Sequence, residues 1–334
     1  MKRHCIVAID IGGSKIAWGL SDCEGELTHT GKRMWDRYDS RHVLAVIEDI
    51  VQMLCEEAEK EGRLPEAIGV TIPGFADPAK GIWLSAEFMG IYHVPVAQIL
   101  GERFRIPVYI ENDTNACCLA EKLFGACRDV DDFLYLTVSN GVGGALFLDG
   151  KLYYGSHGAA GEYGMCIVKE GGRPLENRDY AGCLEMYASG RGLRQNYMDA
   201  GGAPFENGEY PDGSILAGRA RKGDVLANRV FDLEGYYLGK VIASACNLLD
   251  PEKVIIGGGL SLAFDCYEAA LVRTLNEQHY KGADYTKLFS VEPTKLGYDG
   301  GLYGAVSAAK LGMEPDEGKR MGYRGGSKDR GLAG

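Results

Sequence analysis

Apolar residues gather in short runs broken by glycines, then spread to helical spacing, and the two patterns alternate along most of the chain. Ile6, Val7, Ala8 and Ile9 form a first run and Ile16 to Leu20 a second, with a glycine pair between them. This pattern predicts strand, glycine turn, strand. The stretch "GELTHTGKRMW" supplies a third strand. Within 41–61, Val43, Val46, Ile47, Ile50, Val51, Leu54 and Cys55 recur at helical spacing, and Gly62 ends the predicted helix. "AIGVTIPG" reads as a buried strand stopped by Pro73-Gly74, "VPVAQILGERF" as a short helix and "IPVYI" as the next strand. The first third is therefore expected as β-β-β-α-β-α-β.

The pattern then returns. "FLYLTVSNGVGGALFLDGKLYYG" predicts strand, glycine turn, strand, turn, strand. Residues 224–249 predict a long helix, "KVIIGGGL" a buried strand ending in glycines, and 261–277 another helix. "KLFSVEPT" is expected as a last strand and "GGLYGAVSAAKLG" as a last helix. The strand-glycine-strand units at 5–20 and 133–148 look like two copies of one fold rather than a short-period repeat. Residues 314–334 lack apolar spacing and are expected to form a disordered tail.

Composition narrows the function classes. The 334 residues suffice for two domains, and 46% hydrophobic with 25% charged is ordinary for a globular protein. A net charge of -11 without a basic block in the folded part argues against nucleic acid as a partner. No segment approaches the ~20 unbroken apolar residues of a membrane span. The opening "MKRHCIVAID" reads as a first strand, not a signal peptide. The ten cysteines (Cys5, Cys23, Cys55, Cys117, Cys118, Cys127, Cys166, Cys183, Cys246 and Cys266) sit mostly in apolar runs and form no C-x-x-C pair. They read as buried reduced thiols of a cytoplasmic protein.

Three glycine loops and one acidic triplet carry the candidate chemistry. In Asp10-Ile11-Gly12-Gly13-Ser14-Lys15 the glycines let backbone N–H groups approach an anion, and a hydroxyl and a lysine follow. Asp10, at a strand end, suits a water-bridged Mg²⁺. The same residues also read as a plain hairpin turn. The loop is neither a Walker A motif nor a dinucleotide fingerprint, because no helix follows it. Ser139-Asn140-Gly141 opens a second loop in the same setting, and Gly257-Gly258-Gly259 lies between a strand and a helix. Together they suit a nucleotide held by two related domains. Glu111-Asn112-Asp113 crowds three polar residues where a strand hands over to a helix. Asp113 either caps that helix from Thr114, with Ala116 at N3 and so no capping box, or does acid–base chemistry.

The stretches "AIDIGGSKIAWGL", "GVTIPGFADPAKGIW", "VYIENDTNACCLAEKLFG", "GALFLDGKLYYGSHGAAGEYG", "AGCLEMYASG" and "VIIGGGLS", in this order over about residues 5–310, resemble the ROK family (repressors, open reading frames, kinases) of the actin/hexokinase superfamily. The resemblance implies an α/β fold of two actin-like (ribonuclease H-like) domains with a cleft between them. A small domain, 1–115 plus the helix at about 301–312, would precede a large domain, 116–300. It implies ATP-dependent phosphorylation of a hydroxyl, expected to be O6, of a hexose or related sugar. Asp113 would be the general base, and Gly74, Glu87, Asn112, Glu162 and Glu185 would hold the sugar. Asp10, Gly12, Gly13, Ser14, Lys15, Ser139, Asn140, Gly141, Gly257, Gly258 and Gly259 would hold ATP and Mg²⁺, Asp10 through water. A homodimer is implied as well. The alternative is a catalytically weak sugar-binding or regulatory member without a DNA-binding domain.

The sequence departs from the family's pattern at three points. Met165 stands where a histidine usually follows "GE-x-G", and only Cys183 keeps register with the family's zinc cysteines, so no structural zinc is expected. Glu87 stands where asparagine is common. The second phosphate loop reads Ser139-Asn140-Gly141 in place of Gly-Thr-Gly.

Overall fold

The computed structural model describes residues 3–22, 24–35, 39–175 and 179–324. Cys23 and the last ten positions of the expected tail lie outside the described residues. In chain order the elements are β1 (Arg3–Ile11), β2 (Lys15–Ser21), β3 (Leu27–Met34), α1 (Ser40–Lys60), β4 (Arg63–Ile72), β5 (Phe75–Asp77), β6 (Ile82–Ala86), β7 (Ile91–Val94), α2 (Val96–Phe104), β8 (Val108–Asn112) and α3 (Asp113–Leu123). There follow β9 (Phe133–Val138), β10 (Val142–Leu148), β11 (Lys151–Tyr153), α4 (Gly190–Asp199), α5 (Gly213–Ala220), α6 (Val225–Leu249), β12 (Lys253–Gly257), α7 (Phe264–Gln278), β13 (Ser290–Pro293), α8 (Gly300–Met313) and α9 (Pro315–Arg320). They divide between two compact units, one of Met1–Asp129, Gly150–Gly158 and Asp299–Gly334, the other of Val130–Asp149 and Ala159–Tyr298.

The first unit is built on a sheet of order β3-β2-β1-β4-β8. Its glycine turn returns β2 antiparallel to β1, while β4 and β8 run parallel to β1. Period-2 alternation sorts β1 between two cores. Cys5, Val7, Ile9 and Ile11 pack with Val43, Ile47, Val51 and Leu54 of α1. Ile6 and Ala8 pack with Leu302, Ala305, Val306 and Ala309 of α8. Close approach needs small residues here. A Cβ at Gly69 of β4 would run into the Ala305 carbonyl, and one at Gly304 would lie 2.9 Å from Ala116 of α3. Because α3 rests on α8, it belongs to the first unit. The boundary expected after residue 115 falls instead between Asp129 and Val130.

One element was not anticipated and one expectation is corrected. Residues 75–94, to which the sequence pattern assigns no element, hold a small sheet of order β5-β6-β7, anchored by Trp83, whose Nε1 donates to the Pro73 carbonyl at 2.9 Å. Its strands of three to five residues are too short to show a period. The segment after 314 is also ordered as far as the description reaches. Pro315 opens α9, Asp316 and Glu317 occupy its first turn, and Lys319 and Arg320 its last. Proline at the start and charges matched to the helix dipole are the signals, not apolar spacing. Met321 and Tyr323 beyond it are buried.

In the second unit β10, β9, β12 and β13 lie side by side, with β10 antiparallel to β9 and the other pairs parallel. Leu134, Leu136, Val138, Val254 and Ile256 share a core with Phe231, Leu238 and Ile242 of α6 and Tyr267 and Leu271 of α7. Helices α4 and α5 were not anticipated; each is short and carries few apolar residues. No helix of the described residues is long and apolar enough to cross a membrane.

Candidate functional site

Strand register places the acidic candidates of the first unit together. Asp10 on β1 pairs with Thr71 on β4, and Thr71 and Ile72 pair with Glu111 and Asn112 on β8. All lie at the carboxyl ends of three adjacent parallel strands, where open α/β sheets bind ligands. The Thr71 hydroxyl donates to Asp10 Oδ1 at 2.6 Å. Burial raises the Asp10 pKa, which the Thr71 bond and the Lys15 charge lower in part.

The triplet at the β8–α3 junction divides its tasks. Asn112, not Asp113, caps α3: its Oδ1 accepts from the backbone N–H groups of Thr114 and Asn115, both at 3.0 Å. Its Nδ2 donates to the Gly74 carbonyl at 2.9 Å and to Asp113 Oδ1 at 3.1 Å. The amide expected to orient a sugar is thus engaged within the protein, tying Gly74 to Asp113. Asp113 is the first residue of the helix. Its Oδ1 also accepts from the Thr114 N–H at 2.8 Å, while Oδ2 takes no hydrogen bond among the described residues. Burial, and then the charge of Asp10, push its pKa from 3.8 up to about 6. Glu111 is fully buried, and burial pushes it to about 7. It accepts from the Asn112 N–H at 2.8 Å, from Asn115 Nδ2 at 3.3 Å and from the Tyr154 hydroxyl.

The glycine loops separate into those the fold requires and those it does not. The first loop closes through Gly12 N–H to the Lys15 carbonyl at 2.8 Å. Trp35 pins it: its Nε1 donates to the Gly12 carbonyl at 2.9 Å and its backbone N–H to the Ser14 carbonyl at 3.1 Å. Neither Gly12 nor Gly13 has a positive φ. A Cβ at Gly13 would lie 3.5 Å from the Phe88 ring, and one at Gly12 3.4 Å from the Lys15 carbonyl, both ordinary contacts. Neither backbone conformation nor packing within the folded chain therefore requires glycine at these two positions. Exposed Glu87 precedes Phe88 in the chain. In the third loop packing demands Gly257, against the Tyr135 hydroxyl, and Gly258, at φ +77 against the Val138 backbone. No atom lies within 4 Å of a Cβ at Gly259.

Around Val142, at the head of β10, the second unit gathers its own candidates. Glu185 Oε2 accepts from the Val142 N–H at 3.0 Å, and its Oε1 from Arg191 Nη2 at 2.5 Å. Arg191 Nε also donates to the Asn140 carbonyl at 3.2 Å, and the Gly190 N–H to the Ser139 carbonyl at 2.6 Å. Glu185 and Arg191 therefore brace the Ser139-Asn140-Gly141 loop. Gly164 packs on the Val142 carbonyl, which brings the Tyr163–Met165 turn alongside. Exposed Glu162 heads that turn and lines a cavity of about 350 Å³ with Leu146, Cys166, Ile167, Lys240 and Leu248. Cys183 is buried while Cys166 is exposed, an exception to the expected buried thiols. Among the described residues no group of three His, Cys, Asp or Glu side chains is placed to hold a metal ion.

A sequence model of the ROK family matches residues 6–311. The chain belongs to the ROK family. A glucokinase of Thermotoga maritima is 30% identical over 323 residues, 93% of this chain and 98% of the relative. The structure of a ROK family glucokinase from Streptomyces griseus in complex with glucose and AMPPNP is similar with a TM-score of 0.79 and 29% identity, over 92% of this chain and 99% of that one. Regulators are similar too: a xylose repressor of Caldicellulosiruptor bescii is 28% identical over 87% of this chain and 74% of its own. The two-unit α/β architecture is the actin-like fold of the ROK kinases. Within this ROK chain two site residues escaped the sequence reading. Trp35 carried no motif, and the Arg191 signal, a guanidinium just after "ASG", was visible but unpaired until Glu185 was placed.

Proposed function

We propose that this ROK protein is an ATP-dependent sugar kinase in which Asp113 is the general base. The observation that carries the reading is the Asp113 carboxylate. It stands at the carboxyl end of the parallel strands, held through Oδ1, with Oδ2 unengaged among the described residues and a pKa raised to about 6. A carboxylate so tuned accepts a proton near neutral pH. The sugar hydroxyl, O6 in a hexose, attacks the γ-phosphorus as Oδ2 takes its proton. The bond from the γ-phosphorus to the β–γ bridging oxygen breaks, and ADP leaves with that oxygen. Asn112 holds the base rather than the sugar, and Glu87, Gly74 and Glu162 are assigned to sugar hydroxyls.

Gly12, Gly13, Ser14 and Lys15, and Ser139, Asn140 and Gly141 braced by Glu185 and Arg191, receive the ATP phosphates. Gly257, Gly258 and Gly259 serve the nucleoside. Asp10 fits a Mg²⁺ partner: it is a hard oxygen ligand whose charge already raises the proton affinity of Asp113, a repulsion that a cation relieves. Bound there, Mg²⁺ would neutralise phosphate charge. The similarity to the xylose repressor favours one other reading, a sugar-responsive regulator.

An ADP-release screen over glucose, mannose, fructose, allose and N-acetylhexosamines decides between them. The kinase reading expects saturable, sugar-dependent ADP release for at least one. Saturable sugar binding with no ADP above background for any of them would leave the regulator.

A further inference from the structure

The family match ends at residue 311, yet the chain beyond it returns to the candidate catalytic junction. After α9, the Met321 carbonyl accepts from the Leu152 N–H at 2.8 Å, and the Tyr323 hydroxyl donates to the Ile110 carbonyl of β8 at 3.3 Å. Arg324 Nη2 donates to the Gly155 carbonyl at 3.3 Å, and its guanidinium lies 4.6 Å from the centroid of the Tyr154 ring. Gly322 fits because a Cβ there would press on the Leu152 backbone. The 151–155 segment is thereby clasped from the C-terminal side. Its Tyr154 delivers the hydroxyl to buried Glu111, and Glu111 grips the Asn112 N–H and the Asn115 side chain. A continuous set of contacts thus runs from Arg324 through Tyr154 and Glu111 to the cap that holds Asp113.

We propose that Met321–Arg324 is a positioning strap which, through Tyr154 and Glu111, fixes the Asn112–Asp113 junction in its reactive geometry. The consequence for catalysis rests on the sugar-kinase reading; the positioning itself does not. Glu111 is fully buried, and its carboxylate accepts from the Asn112 N–H, the Asn115 side chain and the Tyr154 hydroxyl, so the phenol is its link to the strap. The Arg324 charge also favours the ionised form of Glu111, which accepts those donors. A base displaced by a fraction of an ångström loses rate while leaving ground-state binding in place.

The test combines three variants of the full chain, Tyr154→Phe, Arg324→Ala and Arg324→Lys, with a chain ended at Met313. Two readouts are taken: kcat and KM for sugar and ATP, and amide hydrogen exchange over 108–118. The strap expects Tyr154→Phe and the shortened chain to lose roughly tenfold or more in kcat with both KM values within about twofold. It also expects faster exchange confined to the junction, and Arg324→Lys to restore most of what Arg324→Ala loses. A merely stabilising tail would raise exchange across the whole first unit instead. Unchanged exchange at 112–116 in every variant overturns the proposal, as does faster exchange with unchanged kcat. Should the parent phosphorylate no sugar, faster junction exchange still upholds the strap while the kinase reading falls. If the shortened chain does not fold, Tyr154→Phe, which removes one hydroxyl, carries the decision alone.

Discussion

The proton affinity of Asp113 is set by burial and by the neighbouring charge of Asp10, and both act in the free protein. A general base works only when ionised, so kcat/KM for the sugar is expected to rise with pH. The rise should be about tenfold per unit below an inflection near 6 and level off above it. A cation at Asp10 weakens the repulsion, so the inflection in kcat, measured with Mg·ATP bound, is expected at lower pH. The same shift has a stability sign. The folded pKa of about 6 exceeds the ordinary 3.8, so between these values the folded state keeps a proton that the unfolded chain has lost. This group's contribution to stability therefore declines as pH rises through that window and is flat above it. Rate profiles between about pH 5 and about pH 8 check the first claim; a flat kcat/KM would contradict it. At this scale the sequence exposed Asp113 but not its partition with Asn112. The cap depends on where the helix begins, and a one-residue difference in that start exchanges the two roles.

The glycine loops are elements whose sequence has two readings until packing is known. Gly13 and Gly258 make the contrast testable. Alanine at 13 meets only an ordinary contact with the Phe88 ring, whereas alanine at 258 must adopt φ +77 against the Val138 backbone. Gly13→Ala is expected to keep the parent melting temperature and to raise KM for ATP about tenfold or more, since a Cβ displaces a phosphate from the backbone N–H groups. Gly258→Ala is expected to lower the melting temperature, with a strain cost on the order of 1–2 kcal/mol. Thermal melts and ATP titrations read both. A Gly13→Ala protein with unaltered KM for ATP would return the first loop to plain turn chemistry. Elements with long apolar periods, α1, α6 and α8, and the strands flanking the glycine turns were legible from spacing alone. The β5-β6-β7 sheet, α4, α5 and α9 were not. Their short lengths hold too few apolar positions to define a period, and tertiary anchors such as Trp83 and Tyr323 hold them in place.

At the scale of the molecule, the duplicated strand-glycine-strand pattern was enough to expect two α/β units, because each copy nucleates its own sheet and core. The division of the chain between them was less legible. Helix α3 follows β8 without a break in pattern, and only its close packing on α8, through Gly304 and Ala116, assigns it to the first unit. The central claim is that this chain moves a phosphoryl group to a sugar with Asp113 as the base. Its most direct test is Asp113→Asn, which keeps the size of the side chain and its hydrogen bond at Oδ1 but cannot accept the proton. Turnover is to be measured by ADP release with the best sugar of the panel, and sugar affinity by calorimetry on the same preparations. The account expects kcat to fall by about 10²–10⁴-fold while the sugar dissociation constant stays within a few-fold of the parent. A variant that turns over within a few-fold of the parent would contradict it and leave Asp113 as part of the helix start alone.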